Sequence, residues 1–288
     1  MDLSIIIVSY NTKKLTSDCL SSVIKSLKGT GITWEIILID NVSTDGTRQM
    51  LKEKFPKITK ILNRDNVGFG KANNQGIKIA RGEYVLLLNS DTVVLNNALG
   101  KLLAFARQHP NAFVGGKLLN LDHSAQTSCG PFFSLPVVLA VLFFKGDVLG
   151  LTRWSPNSVR RVDWVSGACI MAPKKLFMND LLFDSEIFMY MEEIDLLYRA
   201  KRKGYPTYFY PRALIIHLGA GSSTNKRKGP VLNIFKGLIY FYKKHRSPFE
   251  LRILRFLLKA KAVMAWSIGA IMGKGYICET YAEAYKLV

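Results

Sequence analysis

The stretch EYVLLLNSDTVVL, residues 83–95, joins a continuous apolar run to the polar triplet Asn89-Ser90-Asp91. A short, unbroken apolar run is typical of a strand that is buried on both faces. Asn, Ser and Asp favour turns because their side chains bond to nearby backbone, so the triplet could simply end the strand. Ligands of open α/β sheets, however, bind beyond the carboxyl ends of the strands, which makes this carboxylate a candidate ligand-binding group.

The residues before this stretch repeat a pattern of apolar strand and helix. SIIIVSY (4–10) and EIILI (35–39) have strand length and many β-branched residues, and the apolar residues of 15–27 have helical spacing. This alternation predicts an α/β fold with a Rossmann-like, mostly parallel sheet that helices cover on both faces. The other elements predicted here are helices over 44–54 and 70–80 and strands over 60–62 and 84–88. A further helix is predicted over 191–203.

Polar residues follow three of the predicted strands and should converge on one crevice. They are Ser9-Tyr10-Asn11, Asp40-Asn41 and Asn89-Ser90-Asp91. Asp40 precedes a predicted helix that Ser43 or Thr44 could cap, and its carboxylate could accept a hydrogen bond from a base N–H or a ribose hydroxyl.

The segment NVGFGKANNQG, residues 66–76, is a second candidate for ligand contact. Its glycines would let the backbone approach a ligand, and Lys71 could meet a phosphate. The segment matches neither GxGxxG after the first strand nor GxxxxGK[ST], so it predicts neither a dinucleotide fold nor a P-loop.

Composition and charge limit the class of partner. The chain has 288 residues, with 40 Lys and Arg against 21 Asp and Glu, and this balance favours nucleic acid, a phosphorylated substrate or an acidic membrane surface. The four cysteines show no CxxC spacing, which suits a reducing compartment and argues against a zinc site or a disulfide framework. No zinc-finger, RNP or helix-turn-helix pattern is present, so nucleic acid is not expected as a partner.

Two regions bear on membranes. The N-terminal apolar run is too short for a signal peptide, and the apolar stretches 131–144 and 262–272 are too short to span a bilayer. Residues 222–288 hold 13 Lys and Arg against three Glu, with apolar residues at helical spacing. They predict basic amphipathic helices, which could lie on a membrane or could be ordinary C-terminal helices with a solvated face.

Seven blocks in order resemble the inverting family 2 glycosyltransferases with the GT-A fold, in particular the branch of bacterial rhamnosyltransferases. The resemblance spans about residues 3–223 and implies a catalytic domain over 1–221, with a nucleotide-binding half (1–91), an acceptor half (92–221) and the helical tail 222–288. The blocks are SIIIVSYN, IILIDNVSTDGT, NVGFGKANNQGI, YVLLLNSDTVV, WVSGACIMAPKKLF, FDSEIFMYMEEIDLLYRAKRKGY and IIHLGAGSS.

The resemblance implies a divalent metal ion, Mg²⁺ or Mn²⁺, at the strand-end acidic motif. That motif is often DxD and here reads Asn89-Ser90-Asp91, so Asp91 is the expected ligand. Because one carboxylate is missing, the free enzyme should bind the metal more weakly than an enzyme with two. His217 matches a position that completes the metal shell in related enzymes. A lone His after an apolar run is otherwise more often structural.

The general base is expected in Met191-Glu192-Glu193-Ile194-Asp195, which matches the family's E-D-x-D motif. Because an inverting transfer is a single displacement, a base must take the proton of the acceptor hydroxyl, and the match assigns this to Glu193, with Glu192 and Asp195 beside it. Asp195 could instead form an i,i+4 ion pair with Arg199.

The remaining implied contacts are to the nucleotide and the sugars. Asp40 matches the residue that recognises the pyrimidine base or its ribose. Residues 164–168 match the segment that cradles the donor sugar and acceptor, although they could equally form a buried strand. The expected nucleotide-binding residues are Ser9, Tyr10, Asn11, Asp40, Asn66, Gly68, Lys71, Asn89 and Ser90, and the expected donor or acceptor residues are Trp164, Gly167, Ala168 and Arg199.

The resemblance therefore implies a metal-dependent inverting glycosyltransferase that moves a hexose to a saccharide acceptor. The expected donor is foremost dTDP-rhamnose. The acceptor is expected to be lipid-linked, in cell-surface polysaccharide synthesis. The predicted location is cytoplasmic and peripheral, on the anionic inner face of the cell membrane. The alternatives are a UDP-sugar enzyme such as a galactofuranosyltransferase, a sugar-phosphate nucleotidyltransferase and an inactive sugar-nucleotide-binding module.

Overall fold

The N-terminal part of the chain has the predicted alternation of strands and helices. The structure is a computed structural model and describes residues 1–219 and 228–288. Each predicted strand and helix of residues 4–88 is present, with bounds that differ by at most a few residues. These elements are β1 (Leu3–Ser9), α1 (Lys13–Leu27), β2 (Trp34–Asp40), α2 (Thr47–Lys54), β3 (Thr59–Leu62), α3 (Phe69–Ile79) and β4 (Tyr84–Asn89).

The following part of the chain, up to residue 217, adds shorter strands and helices around longer loops. The helix predicted over 191–203 is α7. The elements are β5 (Thr92–Val94), α4 (Ala98–Gln108), β6 (Phe113–Leu119), β7 (Cys129–Gly130), α5 (Leu135–Phe143), β8 (Arg160–Val162), β9 (Trp164–Val165), β10 (Cys169–Pro173), α6 (Lys174–Met178), α7 (Glu192–Arg202) and β11 (Thr207–His217).

One central sheet carries the fold, and its main path runs β3-β2-β1-β4-β10-β6-β11-β5. The strands β3, β2, β1 and β4 are parallel, as predicted. Beyond β4 the sheet is mixed, because β10 runs antiparallel to both β4 and β6. The polar carboxyl ends of β1, β2 and β4 consequently meet at one edge.

Helices cover both faces, which confirms the predicted α/β class. Successive side chains of a strand point to opposite faces, so Ile5 and Ile7 pack with Leu20 of α1 on one face. Ile6 belongs to the apolar cluster on the other face, which includes Phe177 of α6 and Phe235 from the C-terminal region.

Three C-terminal helices follow: α8 (Lys228–His245), α9 (Pro248–Ile271) and α10 (Gly275–Lys286). Leu238 of α8 and Leu254 and Leu258 of α9 are buried in the same cluster as Ile6. The start of α9 is fixed by Ser247 and Glu250, whose side chains accept from each other's backbone N–H groups. The domain boundary predicted between 221 and 222, like the Ser222-Ser223 end of the last block, lies outside the described residues.

The predicted cap of the second helix is wrong. The helix begins at Thr47, after Gly46 with φ 85°, and neither Ser43 nor Thr44 caps it. Both residues instead bind the loop after β1: Ser43 Oγ accepts from the Asn11 N–H at 2.9 Å, and the Thr44 N–H donates to Asn11 Oδ1 at 2.7 Å. This cross-loop pairing holds residues 41–46 out of the helix.

No helix in residues 1–219 or 228–288 combines the length and the apolar character that crossing a membrane requires.

Candidate functional site

A cleft of about 400 Å³ lies at the carboxyl ends of β1, β2 and β4. The loop before α7 and the first turns of α8 close its other side. Ten of the predicted site residues line this cleft, namely Tyr10, Asn66, Asn89, Ser90, Asp91, Gly167, Ala168, Glu192, Glu193 and His217. The edge predicted from the strand pattern is therefore the place where these side chains meet.

His217 lies beside the polar triplet because β11 pairs antiparallel with β5, which puts His217 opposite Thr92. Its Nε2 is 3.4 Å from Asp91 Oδ1 and 3.3 Å from Asn89 Nδ2. The Asn89 Oδ1 atom is buried and has no hydrogen-bond partner among the described residues.

Gln126 orients the ring of His217. Its Oε1 lies 2.7 Å from Nδ1, and its Nε2 donates to the His217 carbonyl at 3.2 Å, which fixes the orientation of the amide. Because an amide oxygen can only accept, Nδ1 is the nitrogen that donates to it, which leaves Nε2 as the ring atom that faces Asp91 and Asn89. Support of this kind from the second ring nitrogen is typical of metal-binding histidines. Sequence reasoning missed Gln126, whose loop carries no distinguishing pattern.

These atoms fit a divalent cation. Within residues 1–219 and 228–288 no group of three His, Cys, Asp or Glu side chains forms a metal cluster, so the protein offers one carboxylate, one imidazole nitrogen and the amide oxygen of Asn89. Mg²⁺ commonly takes one or two carboxylates and completes its shell with phosphate oxygens and water.

The carboxylates of Glu192 and Glu193 face the cleft from the first turn of α7. The two preceding residues, Tyr190 and Met191, have φ values of 67° and 73°. Residues other than glycine rarely adopt this left-handed backbone conformation. Such strain persists only where the surrounding structure enforces it, and it clusters at functional sites. Here the left-handed conformation of Tyr190 and Met191 turns the chain, so that α7 begins with Glu192 and Glu193 and their carboxylates lie in the cleft.

Both carboxylates are held in an apolar, poorly solvated environment. Each has one buried oxygen without a hydrogen-bond partner in the described residues. Burial, followed by the charge of Glu193, raises the pKa of Glu192 well above its ordinary value. Burial also raises the pKa of Glu193, although nearby N–H groups and the charge of Arg153 oppose the shift. A carboxylate with a raised pKa is a stronger base when it is ionised.

Asp195 does not line the cleft. Its buried carboxylate accepts from Arg199 Nε at 2.8 Å, from Lys244 Nζ at 2.8 Å and from His245 Nε2 at 2.7 Å. Arg199 is likewise outside the cleft and donates to the carbonyl of Leu182. The i,i+4 pair that the sequence offered as an alternative is present, and it belongs to a network that ties α7 to the end of α8.

Asp40 is fully buried behind the cleft. Its Oδ2 accepts from Arg48 Nε at 2.5 Å and from the Ser43 N–H at 3.1 Å. The neighbouring Asn41 lines the cleft instead, and its Nδ2 donates to Asn66 Oδ1 at 3.2 Å and to the Gly68 carbonyl at 3.3 Å. The polar group that this strand end presents is thus an amide.

Several other predicted residues support the cleft from outside. Ser9 is buried in a hydroxyl cluster with Thr12, and Thr12 lies 3.2 Å from Ser90 Oγ. Gly68 has φ 84°, and a Cβ there would be 2.6 Å from the Phe188 carbonyl oxygen. Asn11 joins the loops after β1 and β2, Lys71 is exposed on α3, and Trp164 is buried with its indole N–H donating to the Pro131 carbonyl.

The rest of the cleft comes from residues that the sequence did not single out. Ser166 lies beside Gly167, where a Cβ would be 3.6 Å from Glu193 Cβ. An apolar wall opposite the strand ends is formed by Phe69, Phe188, Met189, Tyr190 and Pro230, with Asn233 beside them. No local pattern marks these positions, because the wall combines α3, the loop before α7 and α8.

Comparison with known proteins agrees with this geometry. The model of glycosyl transferase family 2 matches residues 4–122, which contain β1 to β6 and the triplet at 89–91. N-acetylglucosaminyl-diphospho-decaprenol L-rhamnosyltransferase of Mycobacterium tuberculosis is 30% identical over 207 residues, 65% of this chain and 67% of that protein. The low-salt glycan biosynthesis hexosyltransferase Agl10 of Haloferax volcanii is 26% identical over 206 residues, 70% of this chain and 62% of that protein.

The fold is similar to that of GalNAc-T7, solved in a crystal structure with UDP, GalNAc and Mn²⁺. The two align with a TM-score of 0.62 at 17% identity, over 84% of this chain and 50% of the other. The chain belongs to glycosyltransferase family 2 and has the GT-A fold.

Proposed function

We propose that this glycosyltransferase moves a hexose, with inversion at the anomeric carbon, from a nucleoside diphosphate sugar to a hydroxyl of a saccharide acceptor. The proposed donor is dTDP-rhamnose, and the proposed acceptor is a lipid-linked saccharide in cell-surface polysaccharide synthesis. Both assignments are supported by the rhamnosyltransferase relative, whose name specifies L-rhamnose and a diphospho-decaprenol-linked sugar. A UDP-sugar donor, as for a galactofuranosyltransferase, is the competing assignment.

The observation that carries the proposal is that one cleft holds two different sets of groups. Asn89, Asp91 and His217 supply donors for a divalent cation, while Glu192 and Glu193 supply poorly solvated carboxylates. Mg²⁺ or Mn²⁺ bound there would neutralise charge that develops on the departing nucleoside diphosphate.

In the proposed mechanism Glu193 takes the proton of the attacking hydroxyl. Its burial raises its pKa, so the ionised form is a stronger base than an exposed glutamate. Glu192 is buried beside it, and its burial together with the charge of Glu193 raises the pKa of Glu192, which favours a single negative charge in the site. The apolar wall around Phe188 and Tyr190 would keep water from competing with the acceptor.

The nucleotide would lie along Tyr10, Asn41 and Asn66 at the ends of the parallel strands. Asp40, paired with Arg48, would act indirectly by fixing the loop that carries Asn41. The donor sugar and acceptor would lie near Gly167 and Ala168.

We also propose a cytoplasmic, peripheral location on the inner face of the membrane. The proposed division of the chain is a catalytic domain over 1–221, with nucleotide-binding (1–91) and acceptor (92–221) halves, and the tail 222–288.

The test is a panel of dTDP-, UDP- and GDP-sugars with and without Mg²⁺ or Mn²⁺, read by thermal stabilisation and by transfer to a lipid-linked saccharide. We expect dTDP-rhamnose with metal to give both signals. Glu193→Gln should lower kcat by roughly 10²- to 10⁴-fold while stabilisation by dTDP with metal is retained. Transfer from UDP-sugars alone would replace the donor assignment, and wild-type kcat in Glu193→Gln would refute the base.

A further inference from the structure

The outer face of α9 combines exposed apolar and basic side chains. Phe249, Phe256 and Val263 are 66%, 71% and 53% exposed, and their spacing of seven residues puts them on one side of the helix. Arg252, Arg255 and Lys259 are also exposed and form the adjacent row on the helix surface. The opposite side of α9, with Leu254, Leu258, Ala262, Ala265 and Gly269, is buried.

A second exposed apolar segment lies beside this helix. Lys261 Nζ donates to the Leu142 carbonyl at 2.7 Å, so the end of α5 packs along one side of α9. The loop that follows α5 exposes four large apolar side chains. They are Phe144, Val148, Leu149 and Leu151, with exposed fractions between 61% and 80%.

We call Phe249, Phe256 and Val263 the apolar face, and the exposed 144–151 loop follows the helix α5, whose end packs against α9. Exposed apolar side chains at this density usually mark a protein or membrane contact. The adjacent row of three cations, in a helix with Glu250 as its sole acid, selects an anionic partner. A helix that is too polar to cross a bilayer but has an apolar stripe beside a basic row is typical of an interfacial helix.

We propose that the apolar face lies on an anionic phospholipid bilayer, with Phe256 and Val263 at the level of the acyl chains and Arg252, Arg255 and Lys259 at the phosphates. This inference assigns residues to the proposed peripheral location and does not depend on the donor sugar. Vesicle binding is measured without any sugar nucleotide, so its failure would leave the proposed reaction untouched, and a failed transfer assay would leave the binding result untouched.

The test uses the full chain in flotation with vesicles of phosphatidylcholine alone or with 30% phosphatidylglycerol added. One basic residue near an anionic surface is worth about fivefold in affinity, so replacing all three with Gln should weaken binding to anionic vesicles by roughly 100-fold. The matched control replaces Lys52, Lys54 and Lys57, three exposed lysines on and just after α2, and should bind like wild type. Phe256→Gln with Val263→Gln should weaken binding at least tenfold at unchanged charge.

Trp266 gives an independent readout, because it is 47% exposed on α9 while Trp164 is buried and the other two tryptophans are partly buried. We expect brominated lipids to quench wild-type fluorescence and to quench Trp266→Phe much less. Equal binding to neutral and anionic vesicles, or equal loss in the Lys52, Lys54 and Lys57 control, would overturn the proposal. A lipid-free dimer that Phe256→Gln with Val263→Gln converts to monomer, with vesicle binding unchanged, would assign the face to self-association instead.

Discussion

Two carboxylates on α7 are predicted to differ in role, Asp195 being structural and Glu193 catalytic, and the substitutions Asp195→Asn and Glu193→Gln test this difference. Asp195 is fully buried; its Oδ2 accepts from Arg199 at 2.8 Å, and its Oδ1 accepts from Lys244 at 2.8 Å and from His245 at 2.7 Å. Asparagine has the same shape but turns one of these acceptors into an N–H group that faces a cation. We therefore expect Asp195→Asn to lose stability and Glu193→Gln to lose activity.

The magnitude follows from the partners. Lys244 is 29% exposed and keeps Asp184 as a second partner at 2.5 Å, so its loss is partly compensated. The side chains of Arg199 and His245 are only 19% and 4% exposed and would be left facing a neutral amide. Removing one member of a buried ion pair typically costs about 3–5 kcal/mol, which for a chain of this size lowers the melting temperature by roughly 5 to 8 °C.

The pH dependence has a definite sign. Burial alone would raise the pKa of Asp195, but the hydrogen bond from His245, the charge of Arg199 and the hydrogen bond from Lys244 outweigh it and hold the pKa well below its ordinary value of 3.8. A depressed pKa in the folded state means that the stabilisation is present above the unfolded value and is lost as the pH falls below it. The difference in stability between wild type and Asp195→Asn should therefore be largest near pH 7 and shrink towards pH 3.

The assay is thermal and urea unfolding of wild type, Asp195→Asn and Glu193→Gln, with kcat measured at a temperature where all three are folded. Glu193→Gln should unfold at or above the wild-type temperature, because a poorly solvated carboxylate becomes neutral. If Asp195→Asn melts within about 1 °C of wild type and loses kcat as Glu193→Gln does, Asp195 acts in the chemistry and the reasoning from its ion network is refuted.

Four further predictions rest on single contacts. Asn89→Asp should tighten Mn²⁺ binding by the metal-free protein, measured by calorimetry, and weaker binding would show that the amide is not part of the cation site. Gly68→Ala should cost about 1–3 kcal/mol in urea unfolding, because it strains a backbone with φ 84° and brings a Cβ to 2.6 Å from the Phe188 carbonyl; a neutral effect would mean that the loop shifts freely. Glu192→Gln should stabilise the fold more at pH 8 than at pH 4, because a raised folded pKa makes ionisation costly as the pH rises, and a pH-independent effect in thermal unfolding would contradict that. Of the four cysteines only Cys278 should react quickly with a thiol reagent in the native state, since the other three are buried with pKa values raised to about 12, and rapid modification of a second thiol would count against the packing around them.

The sequence predicted the N-terminal half well for a physical reason. The strands β1, β2 and β4 are buried on both faces, so their apolar runs are unbroken, and their parallel order brings the polar ends to one edge. The pattern alone predicted that Asn89 and Asp91 lie at this edge, while their expected roles came from the resemblance. His217 required the resemblance, since the antiparallel pairing of β11 with β5 joins residues that are far apart in the chain.

The remainder depends on contacts that no local pattern encodes. Arg48 pairs with Asp40 across a loop, Gln126 reaches His217 from another loop, and Asn233 enters the cleft from α8. The resemblance made Asp195 a catalytic candidate, whereas the i,i+4 spacing offered it as a partner of Arg199. Only the positions of Lys244 and His245, about 50 residues later, favour the structural role.

Contacts of α8 with the cleft and the core determine which variants can test whether the tail binds a membrane. Deleting residues 231–288 would remove Asn233 from the cleft and both α8 partners of Asp195, and it would expose the core around Ile6 where Phe235 and Leu238 are buried. Such a truncation would lose activity and solubility whether or not the tail binds a membrane. Its distribution between membrane and soluble fractions could therefore not distinguish a membrane-bound tail from one that only packs against the core. Substitutions confined to the outer face of α9 leave the buried side of the helix intact. A variant such as Phe256→Gln with Val263→Gln can therefore lose membrane binding while it keeps transfer to a soluble acceptor. Only a role of the α9 surface in membrane binding explains these two results together.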